Sequence, residues 1–147
     1  MKRFVSLGIM MALCAPTLAQ TADAPLATKT HAEEGTYLIA GNGFAVYLFK
    51  ADVQGNGAPA QSACEGDCLA TWPPVLADGE PVGSEAVNAS LLDTMTRSDG
   101  TVQVTYNGWP LYYYAEDMTE EDINGHDLES FGEDWYLIGP TGERARD

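Results

Sequence analysis

Two stretches of the chain crowd apolar and aromatic residues around an Asn-Gly pair. Residues 36–40 (TYLIA) and 45–49 (AVYLF) flank Asn42-Gly43, and residues 102–106 (VQVTY) and 111–114 (LYYY) flank Asn107-Gly108. Runs rich in β-branched and aromatic residues predict strands, and Asn-Gly predicts the turn between them because both residues tolerate positive φ. A short strand is also predicted at 95–97, joined through Ser98-Asp99-Gly100 to a partner at 101–106, so the second half reads as a three-strand meander. The segments 45–49 and 111–114 are apolar on both faces, which predicts burial on both sides. Helix is scarce: 63–71 predicts one to two turns ended by Pro73, and 90–94 another short turn. The fold class predicted is mainly β: a single small domain of two pseudo-repeated β-hairpin units with short helical turns.

The duplication is visible at an offset of 65. Residues 35–52 (GTYLIAGNGFAVYLFKAD) align with 100–117 (GTVQVTYNGWPLYYYAED), with six of the eighteen positions identical. Among the identities are Asn42/Asn107, Gly43/Gly108, Tyr47/Tyr112 and Asp52/Asp117. The likeness resumes where Trp72 precedes Gly79-Glu80 by the same spacing as Trp135 precedes Gly142-Glu143. Self-similarity at a fixed period marks repeated structural units, here 35–80 and 100–143, joined by 81–99.

The first residues change the picture of where the domain works. Lys2 and Arg3, the apolar run 4–13 and the small residues around Thr17-Leu18-Ala19 have the order of a cleavable signal peptide, predicted over 1–19. The run is shorter than the roughly 20 apolar residues a membrane span needs, and no other stretch approaches that length, so no transmembrane span is expected in the mature form. Cys14 follows Leu13 rather than a small residue, which argues against lipidation there. Residues 20–34 lack periodicity and read as a flexible N-terminal tether, with order expected from Gly35 and the domain at 35–147.

Charge narrows the partners. The full chain carries 7 basic and 22 acidic residues. Loss of Lys2 and Arg3 with the signal leaves five basic against 22 acidic, a formal charge of −17. Such a surface repels phosphate backbones, so nucleic acid is not an expected partner. A periplasmic protein or a small ligand is.

A resemblance rests on these residues. The pattern Tyr-x-(Phe/Trp/Tyr)-x-x-Asp occurs twice, as Tyr47-Leu-Phe49-Lys-Ala-Asp52 and as Tyr112-Tyr-Tyr114-Ala-Glu-Asp117. With them stand Cys64-Glu-Gly-Asp-Cys68, Trp72-Pro-Pro, Asp99-Gly100 and Trp135-Tyr136. Together they resemble the secreted-repeat family of predicted bacterial lipoproteins that is named for this motif, over about residues 36–142. The resemblance implies export and brings no settled biochemical activity. The chain departs from the family in lacking a convincing lipidation cysteine, which favours a soluble periplasmic form.

Three groups of residues are candidate sites. Tyr47 and Phe49 share a strand face, as do Tyr112 and Tyr114, with Asp52 and Asp117 just past the strand ends. They read either as a pair of aromatic-acid pockets or, as favoured here, as core aromatics with loop-capping aspartates. Cys64 and Cys68 stand four apart, roughly 6 Å on a helical turn, which suits a disulfide in an oxidising compartment. The alternative is a Cu(I) site of two thiolates with His126 as a third ligand. Within the acidic stretch 116–134, Asp122, Asn124 and Asp127 resemble the first half of a calcium loop, with Glu129 or Glu133 as a later bidentate acid. The plainer reading is a solvated charged loop with an Asn-Gly turn. No cofactor is expected on balance, with calcium or copper the alternatives.

No nucleophile elbow, His-Glu-x-x-His, phosphate loop or haem-attachment motif occurs in the chain. A non-enzymatic binding or accessory domain is therefore the leading expectation, and a metal or electron-transfer role the second. The signal-peptide reading predicts that the exported protein begins at Gln20 and carries no lipid. Intact mass of protein recovered from outside the cytoplasm checks this; a diacylglyceryl adduct would refute it.

Overall fold

The computed structural model describes residues 25–146. The predicted signal peptide and the first residues of the predicted tether, 20–24, lie outside the described residues. The described residues form eight strands: β1 (Ala27–His31), β2 (Gly35–Ile39), β3 (Tyr47–Phe49), β4 (Leu92–Thr96), β5 (Val102–Tyr106), β6 (Trp109–Pro110), β7 (Leu128–Ser130) and β8 (Glu133–Leu137). One five-residue helix, α1 (Asp67–Thr71), and a 3-10 turn at Ala89–Leu91 complete the elements. The strands make three small sheets, β1-β2, β3-β8-β7 and β4-β5-β6, so the mainly β expectation holds.

Both Asn-Gly pairs form turns, but the predicted strand pairing across the first is corrected: β2 and β3 belong to different sheets and meet there only at the isolated Ile39–Ala45 bridge. Asn107 (φ 51) and Gly108 (φ 78) are both left-handed, and Tyr106 faces Trp109 across a two-residue turn. Gly108 serves a second purpose. A Cβ there would stand 2.2 Å from the Gly55 carbonyl oxygen, so only glycine lets the turn seat on that loop. At the first turn Ala40 N donates to Phe44 O across a three-residue loop, and Ile39 bridges Ala45.

Several local expectations are corrected. Residues 27–34 are not a tether: β1 pairs along its whole length with β2, from Ala27↔Ile39 to His31↔Gly35. Thr28 and Thr30 supply the β-branched alternation, Thr30 bonds Thr36 across the pair at 2.9 Å, and Leu26 is buried. The helix is shorter than 63–71. The Cys64 carbonyl, which a helix from 63 would pair with Cys68 N, is taken by Arg97, and Cys68 N donates to Glu65 O instead. The turn predicted at 90–94 becomes strand from Leu92, because β4 pairs with β5 through Leu92↔Tyr106. Residues 111–114 are extended without forming a continuous strand: isolated bridges fall at Tyr112, and single backbone bonds tie Leu111 to Val104 and Tyr113 to Pro73.

The two repeats interlock. β3 of the first unit pairs with β8 of the second, Tyr47↔Leu137 and Phe49↔Trp135. In mirror fashion, Pro74 of the first unit bridges Tyr112 of the second, with Tyr113 N donating to Pro73 O at 2.7 Å and Val75 N to Leu111 O at 2.9 Å. At the centre the two equivalent tyrosines pair with each other: Tyr47 N donates to Tyr112 O at 2.8 Å and Tyr112 N to Tyr47 O at 3.0 Å. A pseudo-two-fold axis passes between them. Strand alternation then sorts the core. Val46, Leu48 and Leu111 enter an aliphatic cluster with Leu38, Val75, Val104 and Ile138, while Tyr47, Phe49, Tyr112 and Tyr114 enter an aromatic one with Trp72 and Trp135.

Because each unit's aromatic strand pairs with the other's closing segment, neither unit holds its own edge. Separate fragments 25–86 and 87–146 are therefore expected to be unfolded alone and to regain dispersed amide spectra on mixing. A native-like spectrum from either fragment by itself would refute the interlock.

Candidate functional site

Around the pseudo-axis the six motif residues meet in one cluster. Their phenols cross between units: Tyr47 donates to Asp117 Oδ2 at 2.6 Å and Tyr112 to Asp52 Oδ2 at 2.8 Å. Each aspartate uses its other oxygen to hold the loop that follows it. Asp52 Oδ1 accepts from Ala63 N at 2.7 Å, and Asp117 Oδ1 from Asn124 N at 2.9 Å. Both carboxylates are buried, so each needs such donors to offset lost hydration.

Between the crossed pairs lies a stack of four rings. Phe49 stacks on Trp135 (3.9 Å, 7°), Trp135 on Trp72 (3.8 Å, 2°), and Trp72 on Tyr114 (4.3 Å, 25°). Tyr47 and Tyr112 meet Trp72 and Trp135 edge-on at 5.6 and 5.1 Å, the favoured geometry for aromatic pairs. Backbone approaches closely at Gly125, where a Cβ would lie 2.9 Å from both Trp72 and Tyr47. Phe49, Tyr47 and Tyr112 are essentially unexposed, and Tyr114 reaches the edge, where its hydroxyl meets Glu116 at 2.8 Å. Two open surface depressions, about 560 Å³ beside β4 and about 640 Å³ over residues 143–146, are lined by none of the motif residues.

Burial shapes the acid–base behaviour. It pushes the Asp52 carboxyl up to about 6, against the Ala63 N–H, the Tyr112 hydroxyl and the Arg97 charge, which favour the ionised form. Burial raises Asp117 as well. Tyr47 and Tyr112 are pushed far up by burial and by their carboxylate partners, and Tyr114 to about 12 by burial and then Glu116.

Cys64 and Cys68 form a disulfide across Cα atoms 5.3 Å apart. Both are buried. Above them sits Arg97, which sequence reasoning placed in a strand and gave no role. Its guanidinium is buried and donates to Cys64 O (2.6 Å), Gln103 Oε1 (2.6 Å) and Ser62 Oγ (3.1 Å), with Glu65 at 3.3 Å. Ser62 in turn shares a 2.6 Å bond with the Tyr112 hydroxyl. One signal pointed to it: Arg97 is the only basic residue between positions 51 and 143.

The structure does not assemble the metal sites. The disulfide removes both thiolates from a Cu(I) site, and His126 is turned elsewhere. Its Nδ1 accepts from Leu137 N at 2.9 Å, and Nε2 lies 3.0 Å from Glu34 without hydrogen-bond alignment. Burial holds that imidazole below its ordinary value. The calcium-like residues diverge. Asp122 caps the Met118 and Thr119 amides, Asn124 bonds Asp117 through its backbone, and Asp127 faces Arg144 at 3.3 Å. Glu129 and Glu133 lie on strands β7 and β8 rather than in that loop. Among the described residues, no three His, Cys, Asp or Glu side chains converge to hold an ion.

The chain belongs to a family described as a secreted repeat of unknown function, whose family model matches residues 28–76 and 93–138, more than half of the sequence. The first match starts inside β1, in keeping with that strand's place in the unit. No curated protein and no solved structure matches. Among the described residues no helix is long and apolar enough to cross a membrane.

The raised carboxyl fixes the sign of a pH effect. A group whose folded value lies above its unfolded one stabilises the fold below the unfolded value, and that stabilisation is lost as pH rises through the folded value. The unfolding free energy from urea melts should therefore fall between about pH 4 and 6, by on the order of 2–3 kcal/mol if Asp52 alone is responsible, and Asp52→Asn should flatten the slope. A second check is truncation: Tyr47→Ala and Tyr112→Ala should each cost about 3–5 kcal/mol in thermal or urea melts, whereas a wild-type melt would put those rings outside the core.

Proposed function

We propose that this secreted-repeat protein is a non-enzymatic binding or accessory domain that acts in soluble form in the periplasm. The observation that carries the reading is that the motif residues are buried and paired with one another. Each tyrosine hydroxyl engages an aspartate of the other unit, and each aspartate holds a loop amide. A catalytic carboxylate or nucleophile needs a face open to substrate, and none of these has one. The motif is thus a scaffold, and recognition falls to the acidic exterior.

Protein partners suit that exterior better than small ligands. Small-molecule sites are enclosed and mostly apolar, whereas the depressions noted above are open. A carboxylate-rich surface instead speeds encounter with a positively charged partner and makes association sensitive to salt.

Tagged protein isolated from the periplasm provides the test. It should carry only substoichiometric metal and retain a polypeptide partner whose release is promoted by salt. Tyr112→Phe, which removes a motif hydroxyl without touching the surface, should leave that association unchanged. Stoichiometric copper, iron or calcium would overturn the reading in favour of a metal role, and loss of association in folded Tyr112→Phe would return the motif to the binding site.

A further inference from the structure

The β7–β8 hairpin breaks two local rules at once. Its two-residue turn consists of Phe131 (φ 56) and Gly132 (φ 93), with Ser130 facing Glu133. Glycine is at ease in the left-handed region, but a bulky aromatic there is an outlier that costs on the order of 1 kcal/mol. The ring gains no full burial in exchange, since Phe131 is 50% exposed. Just below it, Glu129 stands directly opposite Asp134. Like charges in that position destabilise an antiparallel pair. Glu129 and Glu133 are themselves exposed.

The base of the same hairpin is held firmly. Both buried indoles of the pseudo-axis reach Ser130, Trp135 Nε1 donating to its carbonyl at 2.9 Å and Trp72 Nε1 to its hydroxyl at 3.3 Å. A strained, half-exposed aromatic flanked along its hairpin by carboxylates thus stands on a base tied to the aromatic core by both indoles. Where local choices contradict folding and nothing in the fold repays them, function is the expected reason. Rigid aromatic anchors surrounded by polar groups are also what interfaces use as their energetic centres.

We propose that this tip is the contact point with the partner: Phe131 inserts into an apolar pocket of a protein whose rim carries Lys or Arg, which meet Glu129, Glu133 and Asp134. The inference rests on the binding reading above and names its site. Charge complementarity selects the basic rim, and the exposed ring selects the apolar centre.

The test uses the full chain in exporting cells, with a photo-crosslinking phenylalanine analogue at position 131 and, for comparison, at the exposed positions 118 and 82. A protein adduct should form from 131. The adducted protein, purified, should bind wild type in a salt-sensitive manner and bind Phe131→Asn at least about tenfold more weakly. Asparagine accepts left-handed backbone, so that variant should melt no lower than wild type. Double replacement Glu129→Gln/Glu133→Gln should reduce the salt sensitivity. Adducts from 118 or 82 but not 131 would overturn the site and leave the binding reading standing. No adduct from any position would overturn both. Undiminished affinity of Phe131→Asn, or a lowered melt that marks Phe131 as packing, would overturn the site alone.

Discussion

Two buried carboxylates set the terms for this fold. Asp52 and Asp117 sit in the interior, where an ionised group without donors is costly. Each receives one phenol, and that phenol comes from the other repeat. The exchange is possible only if Tyr47 and Tyr112 lie side by side at the pseudo-axis, as their reciprocal backbone bonds place them. From that follow the strand pairings β3 with β8 and 73–75 with 111–113, and from those the adjacency of Trp72 and Trp135. The disposition of the aromatic core is thus a consequence of where two acids find their hydrogen bonds.

Around this symmetric centre the halves are dressed differently. The loop held by Asp52 carries the disulfide and is clamped by Arg97, a fixed positive charge near a buried acid. The loop held by Asp117 carries no disulfide and leads into the acidic hairpin. One half uses a covalent tie and an arginine to fix its loop. The other uses the packing of Gly125 on Trp72 and Tyr47. The frame is shared, and the loop fillings are independent solutions to the same closure.

What the sequence disclosed was mostly local. The turns at Asn42-Gly43 and Asn107-Gly108 were legible because turn chemistry acts within a few residues. The burial of 45–49 on both faces was legible from its unbroken apolar run. β1 was not, because Thr28-Lys29-Thr30 has the polarity of a loop until β2 is set beside it. β7 and β8 were masked by their acids, although Phe131-Gly132 occupies the turn. The interlock was invisible for a different reason. Nothing in a repeat tells whether its strands close on themselves or on the other copy, since both answers satisfy the same pattern. For the candidate site, the sequence supplied the six residues and their places on strand faces and past strand ends. It did not supply the crossing of tyrosine to aspartate, which depends on contacts 60 and 70 residues apart.

That crossing has a consequence for how a duplicated chain can change over time. In repeats that fold side by side, each copy keeps its own bonding set, and either can decay while the other persists. Here a lost tyrosine in one copy strands an acid in the other, so neither copy is a spare. Away from the axis no such exchange binds the copies, and there one holds a disulfide while the other holds an exposed phenylalanine between acidic residues. A substitution at the centre is therefore felt by both copies, and one at the rim by its own copy alone.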